Sequence, residues 1–332
     1  MQPFAYTRAE TAAEAVRAVA AGGPGTRFLA GGTTLLDLMK LRVETPSRIV
    51  DITRIAALDF IDTSGDELVF GALARMSDVA SHAGIVASYP ALSESLWRAA
   101  SQQLRNMATL GGNLLQRTRC AYFRGGEPFA CNKRRPGSGC AALGGIDRGH
   151  ALLGGSEDCI AVYPGDLAIA LVALDASIDV LGPEGERSLP VEALHRAPGA
   201  SPHIETTLAP GELILRIRVP KTPLGRASTY HKIRDRESYA FALASAAVAL
   251  EMEGETVRDA RIAIGGLATR PWRARAAERT LVGRALTARA AREAGDAALA
   301  GARPGHGNGF RIELGARTVA DALMIARRRA AP

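Results

Sequence analysis

The stretch RFLAGGTTLLDLMKLR, residues 27–42, carries the pattern on which the fold prediction depends. A short apolar strand over 26–30 ends at Gly31 and Gly32, and a helical pattern follows over 35–42. Residues 11–22 are helical and Ala-rich, and 48–52 form another apolar strand. This alternation predicts a small β-α-β unit with a Gly-rich turn between its first strand and the following helix.

A second stretch, SQQLRNMATLGGNLLQ at residues 101–116, repeats the glycine pair at Gly111 and Gly112. Successive backbone N–H groups and a helix N-terminus, which carries about half a positive charge, can hold a phosphate. Two such loops fit a pyrophosphate better than one, although each pair is also compatible with an ordinary tight turn. Neither loop matches G-x-G-x-x-G or G-x-x-x-x-G-K-[ST], which disfavours Rossmann and Walker nucleotide sites.

The remaining pattern predicts an α+β middle and a separate C-terminal domain that begins near residue 221, after the Val219-Pro220 stop. The C-terminal part has three strands and a helical tail. Strands are predicted over 67–72, 177–181, 213–219, 229–233, 240–252 and 257–263, and helical segments over 76–101, 166–174 and from 271 onward.

Composition indicates an ordinary globular protein of two or three domains, since 47% of the 332 residues are apolar and 23% are charged. The net charge of +7 is a feature that nucleic-acid-binding proteins share. The basic residues are mostly Arg scattered along helical stretches without interleaved aromatics, so a solvated surface or an acidic partner subunit explains them better.

No membrane span or export signal is predicted. The longest nearly apolar run, 240–250, is eleven residues, whereas a spanning helix takes about 20. Glu10 and Glu14 interrupt what would be the apolar part of a secretion signal, so the N-terminus is interpreted as an amphipathic helix. The compartment stays open, because a cytoplasmic location and export together with a signal-bearing partner are both compatible with this sequence.

All four cysteines lie within one aperiodic stretch, 117–160, that is rich in Gly and Arg. Gaps of ten, eight and eighteen residues separate Cys120, Cys131, Cys140 and Cys159. The thiols can bind a 4Fe-4S cluster, bind a tetrahedral zinc, or pair as two disulfides. The absence of close C-x2-4-C knuckles favours a cluster wrapped by loop, and neighbouring Arg and Lys residues would offset its negative charge. The zinc and disulfide alternatives remain.

Five segments resemble, in order, the FAD-binding medium subunits of the xanthine dehydrogenase and carbon monoxide dehydrogenase superfamily, the molybdenum hydroxylases. They are FAYTRAETAAEA, LAGGTTLLDLMKLR, ATLGGNLLQ, YPGDLAIALVAL and YHKIRDRESYAFALASAAVAL. The cysteine-bearing insertion is most similar to the 4Fe-4S-containing flavin subunits of bacterial periplasmic aldehyde oxidoreductases. A cysteine insertion also occurs in the 4-hydroxybenzoyl-CoA reductase branch, which is the nearest alternative.

The resemblance implies an α+β fold of the carbon monoxide dehydrogenase flavoprotein type. Its expected parts are FAD subdomains over 1–55 and 56–220, with the 4Fe-4S insertion at 117–160, and a C-terminal three-stranded sheet with helices over 221–332. FAD would lie between the two subdomains, and the four cysteines would ligate the cluster.

The resemblance also implies individual FAD contacts. Asp166 would bind the adenosine half, Ile214 would contact the flavin region and Lys232 would lie near the isoalloxazine. From the residues alone, Asp166 is equally an N-cap and Lys232 a surface residue. The pyrophosphate would be lined by Phe28, Leu29, Ala30, Gly31, Gly32, Thr33, Thr34, Leu35, Thr109, Gly111, Gly112 and Asn113.

The function implied is that of an oxidoreductase subunit, because a flavin subunit needs no catalytic residues of its own beyond those that orient the cofactor. Aldehydes would be oxidised to carboxylic acids at a molybdenum cofactor in a large subunit. Electrons would pass through 2Fe-2S clusters of a small subunit to FAD here, and then to an external acceptor. Three alternatives are a flavin subunit of the xanthine dehydrogenase or 4-hydroxybenzoyl-CoA reductase type, a zinc-stapled binding module, and a stand-alone flavoprotein oxidase.

Overall fold

The computed structural model describes residues 1–330. Its first sheet is the predicted β-α-β unit, extended by one strand, with all strands parallel in the order β1-β3-β2. Helix α1 begins after Thr11 because the Thr11 hydroxyl accepts from Glu14 N at 3.2 Å, an N-cap bond. The elements are β1 Ala5–Arg8, α1 Ala12–Gly22, β2 Thr26–Leu29, α2 Leu35–Lys40 and β3 Arg48–Asp51.

The second sheet has five antiparallel strands in the order β4-β5-β8-β6-β7. Every residue of α9 is buried, as the uninterrupted apolar run LAIALVA requires. The strands are β4 Ile61–Asp62, β5 Glu67–Gly71, β6 Ser177–Gly182, β7 Gly185–Pro190 and β8 Leu213–Pro220. The helices are α3 Met76–Ser81, α4 Ala83–Ser88, α5 Pro90–Trp97, α6 Gln102–Arg105, α7 Leu110–Leu114, α8 Ala121–Arg124, α9 Leu167–Ala173 and α10 Val191–Leu194.

The third sheet forms the C-terminal part, in the order β12-β11-β10-β9. The sequence prediction of three strands was wrong by one, because β12 is only two residues long and too short to leave a periodic pattern. Long helix α13 packs against β9 and β10. The elements are β9 Ser228–Ile233, β10 Ala244–Glu253, β11 Thr256–Gly265, β12 Trp272–Arg273, α11 Arg275–Leu281, α12 Ala288–Ala298 and α13 Phe310–Ala330.

The cysteine-bearing insertion, residues 117–160, is mostly loop with α8 as its one helix. Contacts to other parts of the chain order it. Arg119 and Arg124 both reach Asp37 of α2, at 3.1 and 2.8 Å, and Leu152 N donates to Leu267 O at 2.8 Å. Among the helices over residues 1–330, none is long and apolar enough to cross a membrane.

Candidate cofactor site

The two glycine-containing loops are in direct contact. A Cβ atom added to Gly31 would lie 2.0 Å from Met107 O, so only glycine allows the first loop to approach the second this closely. Gly32 has φ +71°, in the left-handed region. The second loop is fixed in turn by Met76 N, which donates to Ala108 O at 3.0 Å. The sequence predicted both loops, and the structure brings them together.

Two cavities meet at these loops, and both are lined by Thr33, Thr34 and Gly112. The first has a volume of about 320 Å³ and largely apolar walls that include Phe28 and Ile214. The second has a volume of about 690 Å³ and a larger polar share in its walls, which include Asp166 and Lys232, so we call the two the apolar cavity and the polar cavity. Each volume lies in the range of about 300–1,000 Å³ that small-molecule sites occupy. Thr33, Thr34 and Gly112 therefore lie between two chambers of different polarity.

Two buried polar atoms at the second loop have no partner within residues 1–330. They are Thr109 Oγ1 and Asn113 Oδ1. Thr109 borders the apolar cavity, and Asn113 borders the polar one. Because an unsatisfied buried oxygen is costly, these atoms indicate that the cavities receive a polar ligand or ordered water. The free Thr109 hydroxyl and the close approach of the two glycine-containing loops fit a dinucleotide with a central pyrophosphate.

Asp166 and Lys232 form a buried ion pair, with Oδ2 and Nζ 2.8 Å apart. Tyr230 donates its hydroxyl to the other Asp166 oxygen at 2.5 Å, and burial raises the pKa of Tyr230 well above its ordinary value. Asp166 makes no side-chain cap bond to α9, and Lys232 is 5% exposed. Both structural alternatives, the helix cap and the surface lysine, are thus wrong.

This pair brings together two residues for which the family resemblance implies different roles, and those roles stay predictions. Asp166 was expected at the adenosine half and Lys232 at the isoalloxazine, yet the two side chains touch. Ile214, expected near the flavin, lines the apolar cavity on the other side of the glycine loops. Asp166 and Lys232 therefore line the polar cavity together, and Ile214 lines the apolar one. The pair is 66 positions apart in sequence, and no local pattern signals it.

Most of the other expected pyrophosphate residues line one or both cavities. Leu29 and Gly31 line neither, and Gly31 instead provides the close contact to Met107 O. The residues that border a cavity are Phe28, Ala30, Gly32, Thr33, Thr34, Leu35, Thr109, Gly111, Gly112 and Asn113.

A row of charged side chains that the sequence did not reveal runs from the apolar cavity toward the cysteines. Glu44 pairs with Arg27 at 3.4 Å and with Arg117, and Arg117 pairs with Glu205 at 3.1 Å. Lys133 completes the row at 3.0 Å from Glu205. Burial acts to raise the pKa of Glu205, but Arg117 and Lys133 outweigh it and the pKa is lowered. We call these five residues the charge row.

Cys120, Cys131, Cys140 and Cys159 all line one small cavity, and all four are free thiols. Burial raises the pKa of Cys120 to about 11 and also raises that of Cys159. Such thiols keep their protons at neutral pH unless a metal replaces them. Within residues 1–330 no group of three or more His, Cys, Asp or Glu side chains is arranged to hold a metal ion.

The cysteine cavity adjoins the cofactor cavities. Arg119, the residue before Cys120, lines the polar cavity, and Lys133, two residues after Cys131, belongs to the charge row. Leu38 of α2 lines the apolar cavity and packs with Phe123 and Cys131 in one buried cluster. The insertion thus forms a wall that the cysteines and the cofactor cavities share.

Comparison with known proteins agrees with this architecture. Residues 2–222 match the family described as the FAD binding domain in molybdopterin dehydrogenase, and residues 228–324 match the CO dehydrogenase flavoprotein C-terminal domain. The chain is 46% identical to the aldehyde oxidoreductase FAD-binding subunit PaoB of Escherichia coli, over 99% of this chain and 100% of that protein.

More distant relatives also match this chain over most of its length. The glyceraldehyde dehydrogenase medium chain of Sulfolobus acidocaldarius is 29% identical over 85% of this chain and 82% of its own length. A chain of the carbon monoxide dehydrogenase structure from Hydrogenophaga pseudoflava superimposes with a TM-score of 0.78 at 28% identity, covering 99% of both chains. The similarity therefore extends through all three sheets.

Proposed function

Because this chain belongs to the family of FAD-binding medium subunits of the molybdenum hydroxylases, we propose that it is the electron-transfer subunit of a molybdenum-dependent aldehyde oxidoreductase. It is an oxidoreductase subunit that carries the FAD-binding domain of that family. The aldehyde substrate class is inferred from the 46% identity to an aldehyde oxidoreductase subunit over the whole chain. Xanthine dehydrogenase and 4-hydroxybenzoyl-CoA reductase types are the alternatives within the family.

The observation that carries the proposal is the pair of cavities joined at the two glycine loops. We place the pyrophosphate of FAD at Thr33, Thr34 and Gly112, which border both cavities. The apolar cavity with Ile214 suits the adenosine half. The polar cavity suits the isoalloxazine, because Asp166 and Lys232 offer a fixed charge and hydrogen bonds of the kind that tune a flavin. FAD supplies two-electron redox chemistry when bound.

We further propose that the four cysteines hold a 4Fe-4S cluster. Cys120, Cys131, Cys140 and Cys159 would each supply one thiolate to the cluster, which would add a one-electron redox centre beside FAD. All four thiols line one cavity, which brings together the complete ligand set that such a cluster takes. Lys133, which acts to lower the pKa of Cys159, would stabilise thiolate charge there.

The proposed partners are a 2Fe-2S small subunit and a molybdenum-cofactor large subunit in a heterotrimer. Relatives of this chain are named as subunits or medium chains of larger enzymes. We propose that electrons from the small subunit reach the isoalloxazine in the polar cavity. From there they would leave to an external acceptor.

An optical spectrum with cofactor analysis of the purified protein tests this function. We expect flavin absorption above a broad iron-sulfur background, FAD released by acid, and iron and sulfide lost in each of the four Cys→Ser variants while FAD is kept. Loss is expected in every variant because a cluster of this type requires all four thiolates. A colourless protein with stoichiometric zinc would instead support a zinc-stapled module, and flavin without iron would remove the cluster from the proposal.

A further inference from the structure

The histidine nearest the cysteines is His150, whose ring is buried in the insertion. Its Nε2 atom lies 3.2 Å from Cys120 Sγ, within hydrogen-bond reach of sulfur. The residue is 7% exposed. None of the roles assigned above uses this contact.

The tautomer follows from the chemistry of a thiolate. A cysteine that ligates iron has lost its proton, so its sulfur can only accept a hydrogen bond. Nε2 must then carry the proton, and Nδ1, which has no partner within residues 1–330, stays bare. His150 is therefore a donor to the sulfur and not a base.

The position of His150 is fixed by a part of the chain far away in sequence. Arg311 of α13, 1% exposed, donates to His150 O at 2.7 Å and to Leu243 O at 2.9 Å. Asn308 donates to the same His150 oxygen at 3.2 Å, and His150 N donates to Asp147 O at 2.8 Å. The Arg311 guanidinium therefore acts as a clamp on the backbone of His150, from which the imidazole extends to the sulfur.

We infer that His150 is a positioning residue that donates a hydrogen bond from Nε2 to the Cys120 sulfur and thereby raises the reduction potential of the cluster. This rests on the proposed function, in which Cys120 ligates the 4Fe-4S cluster. Hydrogen bonds to cluster sulfurs are one of the levers that set the potential, because they stabilise the more negative reduced state. Arg311 and Asn308 hold the donor in place.

The test compares two replacements in the intact complex, by redox titration followed by low-temperature paramagnetic resonance of the cluster. His150→Phe keeps a ring but removes the donor, and we expect a more negative potential with iron content unchanged. His150→Gln can place an amide N–H near the Nε2 position, and we expect its potential to return toward that of the wild type. The exposed His203, replaced by Phe, is the matched control, and its potential should not change.

Three results would overturn the inference. The first is a His150→Phe potential equal to that of the wild type, and the second is an equal shift in the Phe and Gln variants, which would show a packing effect. The third is loss of the metal in both variants, which would make His150 a ligand. Failure of the proposed function would be recognised separately, because purified wild-type protein without iron would show that no cluster is present.

Discussion

The imidazole of His195 lies beneath the second glycine loop. Its Nε2 donates to Leu114 O at 2.9 Å, and its ring centroid is 4.3 Å from that of Tyr163. Burial lowers the pKa of His195 to about 4 from an ordinary value of 6.5. A buried neutral ring of this kind links the end of α7 to the segment after α10, so its protonation bears on the stability of the cofactor site.

The pKa of His195 predicts a specific loss of stability in acid. Between pH 6.5 and about 4 the unfolded chain binds the proton and the folded chain does not. The stabilisation is therefore complete above pH 6.5 and is lost as the pH falls toward 4, by about 3 kcal/mol in all. Urea unfolding at several pH values should show that His195→Gln lacks this part of the pH dependence.

The exposed residue His203 provides the comparison for this experiment. His203→Gln should retain the full pH dependence of the wild type, because it leaves the buried imidazole of His195 and its contacts unchanged. If His195→Gln and the wild type lose stability in parallel between pH 6.5 and 4, the neutral buried state assigned to His195 is wrong.

Among the secondary-structure elements, α7 and the loop before α2 offer the sharpest test of FAD binding. A Cβ atom on Gly112 would meet only Thr109 Oγ1, at 3.2 Å, so a side chain there requires only a small shift of the Thr109 hydroxyl. Gly112 nevertheless borders both cavities. We expect Gly112→Val to fold normally and to bind FAD at least about tenfold more weakly, or about 1.4 kcal/mol. Equilibrium dialysis or flavin fluorescence measures the affinity.

Gly65 is the matched control for that substitution, since nothing lies within 4 Å of a Cβ atom at this position and it borders neither cavity. Gly65→Val should leave FAD affinity unchanged. Gly31→Val would be uninformative because its clash with Met107 O disturbs the loops directly. Wild-type affinity in Gly112→Val would show that the second glycine pair is an ordinary turn.

Elements with a local pattern were predictable from sequence, and contacts between distant elements were not. The β-α-β unit was predicted because strand and helix periodicities alternate over residues 11–52, and its helices and strands were confirmed. The Arg117–Glu205 pair joins residues 88 positions apart, and neither residue stands in a motif. Strand β10 begins at Ala244, four residues later than predicted, because the apolar run continues into the preceding loop.

At the scale of the whole molecule, the chain is expected to need its partners for catalysis. Purified alone with its cofactors, it should show no aldehyde-dependent reduction of a dye, because the proposed site of aldehyde oxidation lies in another subunit. Once reduced chemically, the same protein should still pass electrons to the dye. Stopped-flow spectroscopy of the flavin band measures both reactions.

The reassembled complex is the positive control, and it should couple aldehyde oxidation to dye reduction. Aldehyde turnover by the isolated chain, after contaminating molybdenum has been excluded by metal analysis, would contradict the assignment and favour a stand-alone flavoprotein oxidase.

The clamp on the insertion has a consequence for biosynthesis. The carboxylate of Asp147 accepts from His306 N and Gly307 N, both at 2.7 Å, and Arg311 contacts a residue 161 positions earlier. On the ribosome the N-terminal segments emerge and fold first. The two glycine-containing loops can therefore come together before the contacts of Asp147 and His150 with residues 306–311 have formed. The pocket of four cysteines can be completed only after nearly the whole chain has been translated. Loading of the proposed cluster would thus be a late maturation step, and nascent chains would carry unprotected thiols until then.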